Sequence, residues 1–274
     1  MKINWFPGHM TKALRMMEKE LAIVDAIVYV LDARAPKSCI SPEFNRLFAN
    51  KQIIYVLSKI DLADDFQTAL WQKKLDAITF DCTFSGAGKK LISELKNYYS
   101  KRREKFLRKG LQIGIRAMVV GVPNCGKSTL INNLAGKAKT VTGDRPGVTK
   151  GKQMLKIASN IELLDTPGTL WQNLEDEEVA KNLAFIGSIK AEVLDETEVA
   201  LEFIKVINKL YPNVISQRYK IKTENKTQLD IFEEITLARH FLLSKNELDY
   251  NRSAKCILDD FRKGKFGKIT LDQL

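Results

Sequence analysis

The sequence predicts an α/β fold, a mostly parallel sheet with helices on both faces, followed by a small all-helical carboxy-terminal domain. Two observations carry this. Short, continuously apolar, β-branched runs (Ala26–Ala33, Gln52–Lys59 and Ile115–Val122) alternate with helix-like stretches, the pattern of strands buried on both faces. After about Phe185 such runs stop and the apolar period becomes helical, so the chain divides into residues 1–188 and 189–274.

Taken in order, Thr11–Leu21 reads as an amphipathic helix with Thr11 as its N-cap. Ala26–Ala33 and Gln52–Lys59 follow as buried strands, then a helix over Phe66–Leu75 and a short strand over Ile78–Cys82. Lys89–Leu107 is a long helix, basic after Lys96, and Ile115–Val122 is a third buried strand running into a helix over Gly126–Leu134. Met154–Ile157 and Ile161–Leu164 form a hairpin around Ser159-Asn160. Glu196–Leu210, Leu229–Leu243 and Tyr250–Lys263 are helical by period, and the polar stretch Pro212–Thr227 reads as a loop.

At 274 residues the chain can bury a core without disulfide or metal staples. The longest apolar run, Ala26–Leu31, falls far short of the ~20 residues that cross a bilayer. Four scattered cysteines, no C-x-x-C pair and two histidines argue against a zinc site or a disulfide framework and fit a reducing cytoplasm. The charge is informative. Lysine plus arginine outnumber acids by 44 to 33, a net +11, which favours a polyanionic partner. Gly86–Arg116 holds ten basic and two acidic residues, and Lys137–Lys156 six and one. A solvated helix face is the plainer reading of such runs.

Those runs flank the strongest motif. Strand Ile115–Val120 leads into Gly121-Val122-Pro123-Asn124-Cys125-Gly126-Lys127-Ser128, which is G-x-x-x-x-G-K-S between a strand and a helix. Glycines let backbone N–H groups wrap phosphate oxygens, and the helix N-terminus adds about half a positive charge. Asn124, Cys125, Gly126, Lys127, Ser128 and Thr129 are the phosphate-side candidates, with Lys127 reaching the β- and γ-phosphates and Ser128 ligating Mg²⁺. Asp165-Thr166-Pro167-Gly168 ends the strand Ile161–Leu164, where an acid holds Mg²⁺ through water and the Gly168 N–H meets the γ-phosphate, with Pro167 beside them as a further nucleotide-side candidate. Between the two, Asp144–Thr149 reads as a loop placing the Thr149 hydroxyl on the metal, or as a plain turn.

Guanine needs an acceptor pair for N1–H and the exocyclic amine, and a carboxylate supplies both. Ser58-Lys59-Ile60-Asp61 ends a strand and looks like the N/T-K-x-D element of GTPases, with Asp61 reading the base and the Lys59 stem along the purine. Ser85-Gly86-Ala87 resembles the second base loop. In ordinary GTPases both follow the phosphate loop, whereas here they precede it.

In that order, the chain resembles the circularly permuted P-loop GTPases of the YlqF/RbgA group of bacterial ribosome-assembly factors. Trp5-Phe6-Pro7-Gly8-His9-Met10, Asp32-Ala33-Arg34-Ala35-Pro36 and the stretch Phe261-Arg262-Lys263-Gly264-Lys265-Phe266-Gly267-Lys268-Ile269 carry the likeness with the motifs above. The resemblance implies GTP/GDP and Mg²⁺ as cofactors. It also implies GTP hydrolysis, slow alone and stimulated by ribosomal particles, coupled to late maturation of the large ribosomal subunit. The expected partners are the large ribosomal subunit precursor and ribosomal RNA, with no membrane; the protein is expected to act as a cytoplasmic monomer.

Two departures bear on mechanism. Ser58 replaces the usual asparagine and is expected not to reproduce its bonds to the purine and the phosphate loop. Thr169 follows Gly168, where its hydroxyl is too short to position water. His9, Lys127 and Thr149 are the catalytic candidates; His9 orients or deprotonates water, or else caps the following helix. Asn124 ligates K⁺, as in the potassium-activated GTPases that this loop resembles, or makes an Asx turn. Lys101, Arg102, Arg103, Lys105, Arg108 and Lys109, with the tail cations Arg262, Lys263, Lys265 and Lys268, are expected on RNA. The chain after Gly168 leads through Phe185 into the helical domain, the expected output element. Two other readings stay open: a GTPase acting on another RNA, and a nucleotide-binding RNA scaffold with negligible hydrolysis.

Overall fold

The structure, a computed structural model, describes residues 8–81, 88–107, 114–135, 153–158, 160–171, 174–190 and 193–274, with only the backbone at residues 8, 9, 99 and 101–107. Among the described residues six strands form one sheet in the order β3-β2-β1-β4-β6-β5. They are β1 (Ala26–Asp32), β2 (Gln52–Ser58), β3 (Ile78–Phe80), β4 (Ile115–Val120), β5 (Gln153–Ala158) and β6 (Ile161–Asp165). All neighbours run parallel except β5 and β6, the expected hairpin, which carries an irregularity between Lys156 and Ala158.

The central strand β1 is buried at every residue, as its unbroken apolar run requires. β2 is buried only over Val56–Ser58. The short β3 covers just that half, pairing with Val56, Leu57 and Ser58, so the first half of β2 lies near an open edge.

Helix α1 (Gly8–Glu20) precedes β1, and α2 (Pro42–Leu47), α3 (Asp65–Leu75), α4 (Lys89–Leu107) and α5 (Lys127–Ala135) connect the strands. Thr11 is not the cap expected of it: α1 already runs from Gly8, so Thr11 lies within the helix. Caps that sequence reading passed over are Ser41, which accepts from the Phe44 N–H, and Asp64, which accepts from the Gln67 N–H. Trp71 and Trp171 are buried, in keeping with packing rather than base stacking.

Beyond β6 the chain is helical: α6 (Glu177–Phe185), α7 (Glu196–Leu210), α8 (Val214–Tyr219), α9 (Gln228–Ala238) and α10 (Tyr250–Arg262). α6 packs on α7 and α10. Two expectations are corrected here. The polar stretch 212–227 contains α8, bounded by left-handed residues Asn213 and Lys220. α9 ends at Ala238, because His240 turns left-handed and Leu242 bridges Leu248 instead.

The tail past α10 returns to the sheet. The Ile269 N–H donates to the Leu62 carbonyl at 3.0 Å and the Leu271 N–H to the Arg34 carbonyl at 2.6 Å. The buried Asp272 carboxylate accepts from the Ser38 N–H (2.7 Å), the Ser38 hydroxyl (2.9 Å) and Asn182 (2.9 Å), and its carbonyl accepts from Trp71 Nε1. Among the tail cations only Arg262 departs from its expected role. Arg262 turns inward and donates to the Phe185 and Ala184 carbonyls at 3.1 and 3.0 Å. Lys263, Lys265 and Lys268 pair with Asp259, Asp260 and Asp65.

Candidate nucleotide-binding site

The carboxyl ends of β2, β1, β4 and β6 stand side by side and deliver Ser58, Asp32, Gly121 and Asp165 to one edge of the sheet, where open α/β folds place their ligands. Gly121 has φ +152°, and a Cβ there would lie 2.4 Å from the Val30 carbonyl oxygen, so the loop needs glycine to leave the sheet. The loop ends in α5, whose first residue, Lys127, is buried and folds its ammonium back onto the Gly121 and Val122 carbonyls at 3.1 and 2.8 Å. Ser128 is half-buried and Thr129 exposed in the same turn.

The D-T-P-G strand end lies directly against this loop. A Cβ on Gly168 would sit 2.7 Å from Pro123 Cα and 2.8 Å from Lys127 Nζ. Thr166 donates its hydroxyl to the Val119 carbonyl at 2.7 Å, fixing the turn, and Pro167 stands half-buried beside it. Asp165 is buried, and among the described residues neither of its oxygens has a hydrogen-bond partner. Burial pushes its carboxyl up to about 6, against the pull of the Lys127 ammonium. A buried carboxylate whose oxygens find no well-formed hydrogen bond among the described residues fits a place for a cation. Thr169 is buried with its hydroxyl unpartnered and its N–H on the Gly121 carbonyl at 3.4 Å, so it does not reach toward solvent.

On the base side Asp61 also has one buried oxygen, Oδ1, without a partner among the described residues. Lys59 takes a left-handed backbone (φ 54°) and sends its ammonium to the Asn124 carbonyl of the phosphate loop and to Asp32 Oδ2 at 3.0 Å. Ser58 corrects an expectation. Its hydroxyl lies within hydrogen-bond distance of the Cys125 carbonyl as well as the Leu31 carbonyl, so the serine does reach the phosphate loop. Its single proton serves one of these at a time. Cys125 is buried and its thiol is pushed up by burial, as a loop cysteine without a reactive role would be.

Asn124 is left-handed (φ 60°), and its side-chain amide donates to the Gly187 carbonyl at 2.7 Å. Ser188 donates its hydroxyl to the Pro123 carbonyl at 2.7 Å. The phosphate loop is thus stitched to the turn that follows α6, a contact across more than 60 residues that no local sequence signal announces.

Sequence reading also left Asp32 and Arg34 without a role. Asp32, at the end of β1, is fully buried and meets Arg34 with both oxygens, Nε at 2.9 Å and Nη2 at 2.8 Å. Burial pushes the Asp32 carboxyl up, but Arg34 and Lys59 more than offset it and hold it well below the usual carboxylate range. Arg34 in turn donates to the Arg262 carbonyl at 3.3 Å and stacks over Phe261 at 5.1 Å. Charges at i and i+2 directly after a fully apolar strand were the available signal. The His9 side chain, Ser85, Gly86, Ala87 and Thr149 lie outside the described residues.

Comparison with known proteins agrees with this geometry. Residues 116–241 match a family model described as 50S ribosome-binding GTPase, and residues 7–101 match one described as ethanolamine utilisation - propanediol utilisation. The chain is 37% identical over 279 residues to ribosome biogenesis GTPase A of Priestia megaterium, covering 99% of this chain and 97% of that protein. It is 30% identical over 273 residues to the Thermotoga maritima protein of the same name, covering 99% and 94%. Among solved structures, GNP-bound YlqF from T. maritima superposes with a TM-score of 0.65 at 25% identity, covering 96% and 98% of the two chains. GDP-bound TM YlqF gives 0.67 at 24%, covering 94% and 99%. With identity of this order along nearly its whole length, the chain belongs to the ribosome biogenesis GTPase A family.

Proposed function

We propose that this GTPase is an assembly factor for late maturation of the large ribosomal subunit, that it binds ribosomal RNA, and that its slow hydrolysis is stimulated by the ribosomal particle. The observation that carries the nucleotide part is the unpartnered buried oxygen of Asp61 beside a lysine anchored on the phosphate loop. Guanine N1–H and its amine would satisfy that carboxylate. Gly126, Lys127 and the backbone of Asn124 and Cys125 would cradle the phosphates, and the Lys127 ammonium would exchange its two backbone carbonyls for phosphate oxygens. The backbone of Ser85, Gly86 and Ala87 would donate to the guanine carbonyl.

Ser128, Thr149 and Asp165 would hold Mg²⁺, which when bound neutralises phosphate charge. Gly168 lies too close to Pro123 and Lys127 to carry a side chain, which supports a backbone contact to the γ-phosphate. Thr169 is turned inward, so orientation of the attacking water falls to another group, for which His9 is the candidate. Asn124 would add a K⁺ ligand.

The ribosomal part rests on the names of the relatives and on the charge. The last turns of α4 carry Lys101, Arg102, Arg103 and Lys105, and Arg108 and Lys109 follow. Removing everything from Lys190 onward would strip the tail from Arg34, Leu62 and Trp71, so the output of the helical segment is better probed by surface charge than by truncation. The deciding experiment measures GTP and ATP hydrolysis with and without large ribosomal subunits, in K⁺ and in Na⁺, beside co-sedimentation with the particles at rising salt. GTP-selective turnover that the particles raise, with association falling steeply in salt, is the expected result. Turnover indifferent to the particles refutes the assembly role.

A further inference from the structure

Resting on the nucleotide reading above, we infer that Asp32 is a positioning residue for guanine recognition: it fixes Lys59 across the base site, and the carboxy-terminal segment fixes Asp32. The geometry builds from strand register. Asp32 and Ser58 are paired partners at the ends of β1 and β2, so the residue after Ser58 leaves the sheet beside the Asp32 carboxylate. Lys59 takes a left-handed backbone there, which turns its stem back over the strand ends. Its ammonium is then held at two points, the Asn124 carbonyl of the phosphate loop and Asp32 Oδ2 at 3.0 Å.

A lysine stem lies flat on a purine only while its charged end is anchored, since a free ammonium would swing to water. The Asn124 carbonyl anchors it to the phosphate side. Asp32 supplies the charge, and it cannot rotate away. Arg34 grips both carboxylate oxygens and its own N–H meets Oδ1 at 3.1 Å, all in a fully buried setting. Arg34 is itself pinned by the Phe261 ring, the Arg262 carbonyl and the Leu271 N–H on its carbonyl. A chain of contacts thus runs from the tail to the base site through Arg34, Asp32 and Lys59, and residues outside the nucleotide motifs set guanine affinity.

The test uses the full chain and the dissociation constant of a fluorescent GDP analogue, with GDP and IDP as competitors. The variants are Lys59→Met, the charge-free pair Asp32→Asn with Arg34→Met, and all three together, each checked for folding by thermal melting. Lys59→Met and the pair should each weaken GDP about tenfold or more, and the triple variant should bind no more weakly than the pair. The GDP-to-IDP ratio should survive in the pair, because the exocyclic amine is read by Asp61, whereas a collapsed pocket would lose it. If the pair does not fold, Lys59→Arg and Lys59→Gln decide. Arginine keeps the ion pair and should bind within about threefold of the unmodified chain, while glutamine should not; equal losses overturn the inference. GDP binding by the pair at the unmodified level, or an undiminished cost of Lys59→Met in the pair background, overturns it as well. Absence of guanine-nucleotide binding by the unmodified chain would overturn the nucleotide reading itself, and this inference with it.

Discussion

Replacing Asp61 by asparagine should change which base the protein prefers. The buried Oδ1 of Asp61 has no hydrogen-bond partner among the described residues, so a bound base would satisfy it, and a base without donors would leave a charged acceptor stranded. Guanine brings two donors, N1–H and the amine; adenine brings neither at those positions. Leaving the acceptor unpaired costs about 2–3 kcal/mol, which is roughly 30- to 140-fold in affinity for GDP over ADP. Asparagine keeps one acceptor and presents an NH₂ donor where the second oxygen stood. That donor opposes the guanine amine and suits the extra carbonyl of xanthine, so the preference should invert to XDP over GDP. Competition of GDP, XDP and ADP against a fluorescent guanine nucleotide measures both ratios. ADP binding within threefold of GDP in the unmodified protein, or an Asp61→Asn variant that still prefers GDP, would refute the reasoning.

His9→Ala should lower particle-stimulated turnover while leaving GTP binding near its original level, because the imidazole acts on water and not on the ground-state phosphates; unchanged stimulated turnover returns His9 to a structural role. Asn124→Ala should abolish any difference between turnover in K⁺ and in Na⁺. It should also cost about 1 kcal/mol of stability from the lost bond to the Gly187 carbonyl, read by thermal melting. Stability should also follow pH in two windows. Burial raises the Asp272 carboxyl, so between the ordinary carboxylate value near ~4 and its raised value the folded chain holds the extra proton, and stability grows as pH falls. Asp32 is held low, so its contribution is complete above ~4 and is lost as pH falls below that. The melting temperature of Asp272→Asn should lack the acid-side gain of the unmodified chain, and identical pH profiles for the two would contradict the assignment.

The sheet was legible because its signals are local. A six-residue run as apolar as Ala26–Leu31 before Asp32 has nowhere to lie but between two covered faces, and G-x-x-x-x-G-K-S after a strand specifies its own turn. The site's long-range half was not legible. Asp272 meets Ser38 across 234 positions and Asn182 across 90, and no period or turn residue marks such a pairing. α8 escaped for another reason: six residues framed by left-handed Asn213 and Lys220 look like a polar loop in any short window. The expectation for Ser58 failed in its phosphate-loop half on geometry, since the hydroxyl is short but the Cys125 carbonyl comes to meet it.

The return of the tail to the sheet bears on how the protein is made. The contact between Arg34 and the Arg262 carbonyl closes a loop of 228 positions. Closing such a loop costs about 3 kcal/mol more chain entropy than closing one of ten residues, so it follows the local pairings rather than leading them. During vectorial synthesis the base motif emerges early and the phosphate loop midway, but the segment that braces Arg34 emerges after both. A nascent chain therefore carries every nucleotide motif before it carries the brace. Competence to hold a guanine nucleotide tightly should arrive only once Phe261, Arg262 and Leu271 have emerged, so that a chain stalled or clipped before them would not pass for a working switch.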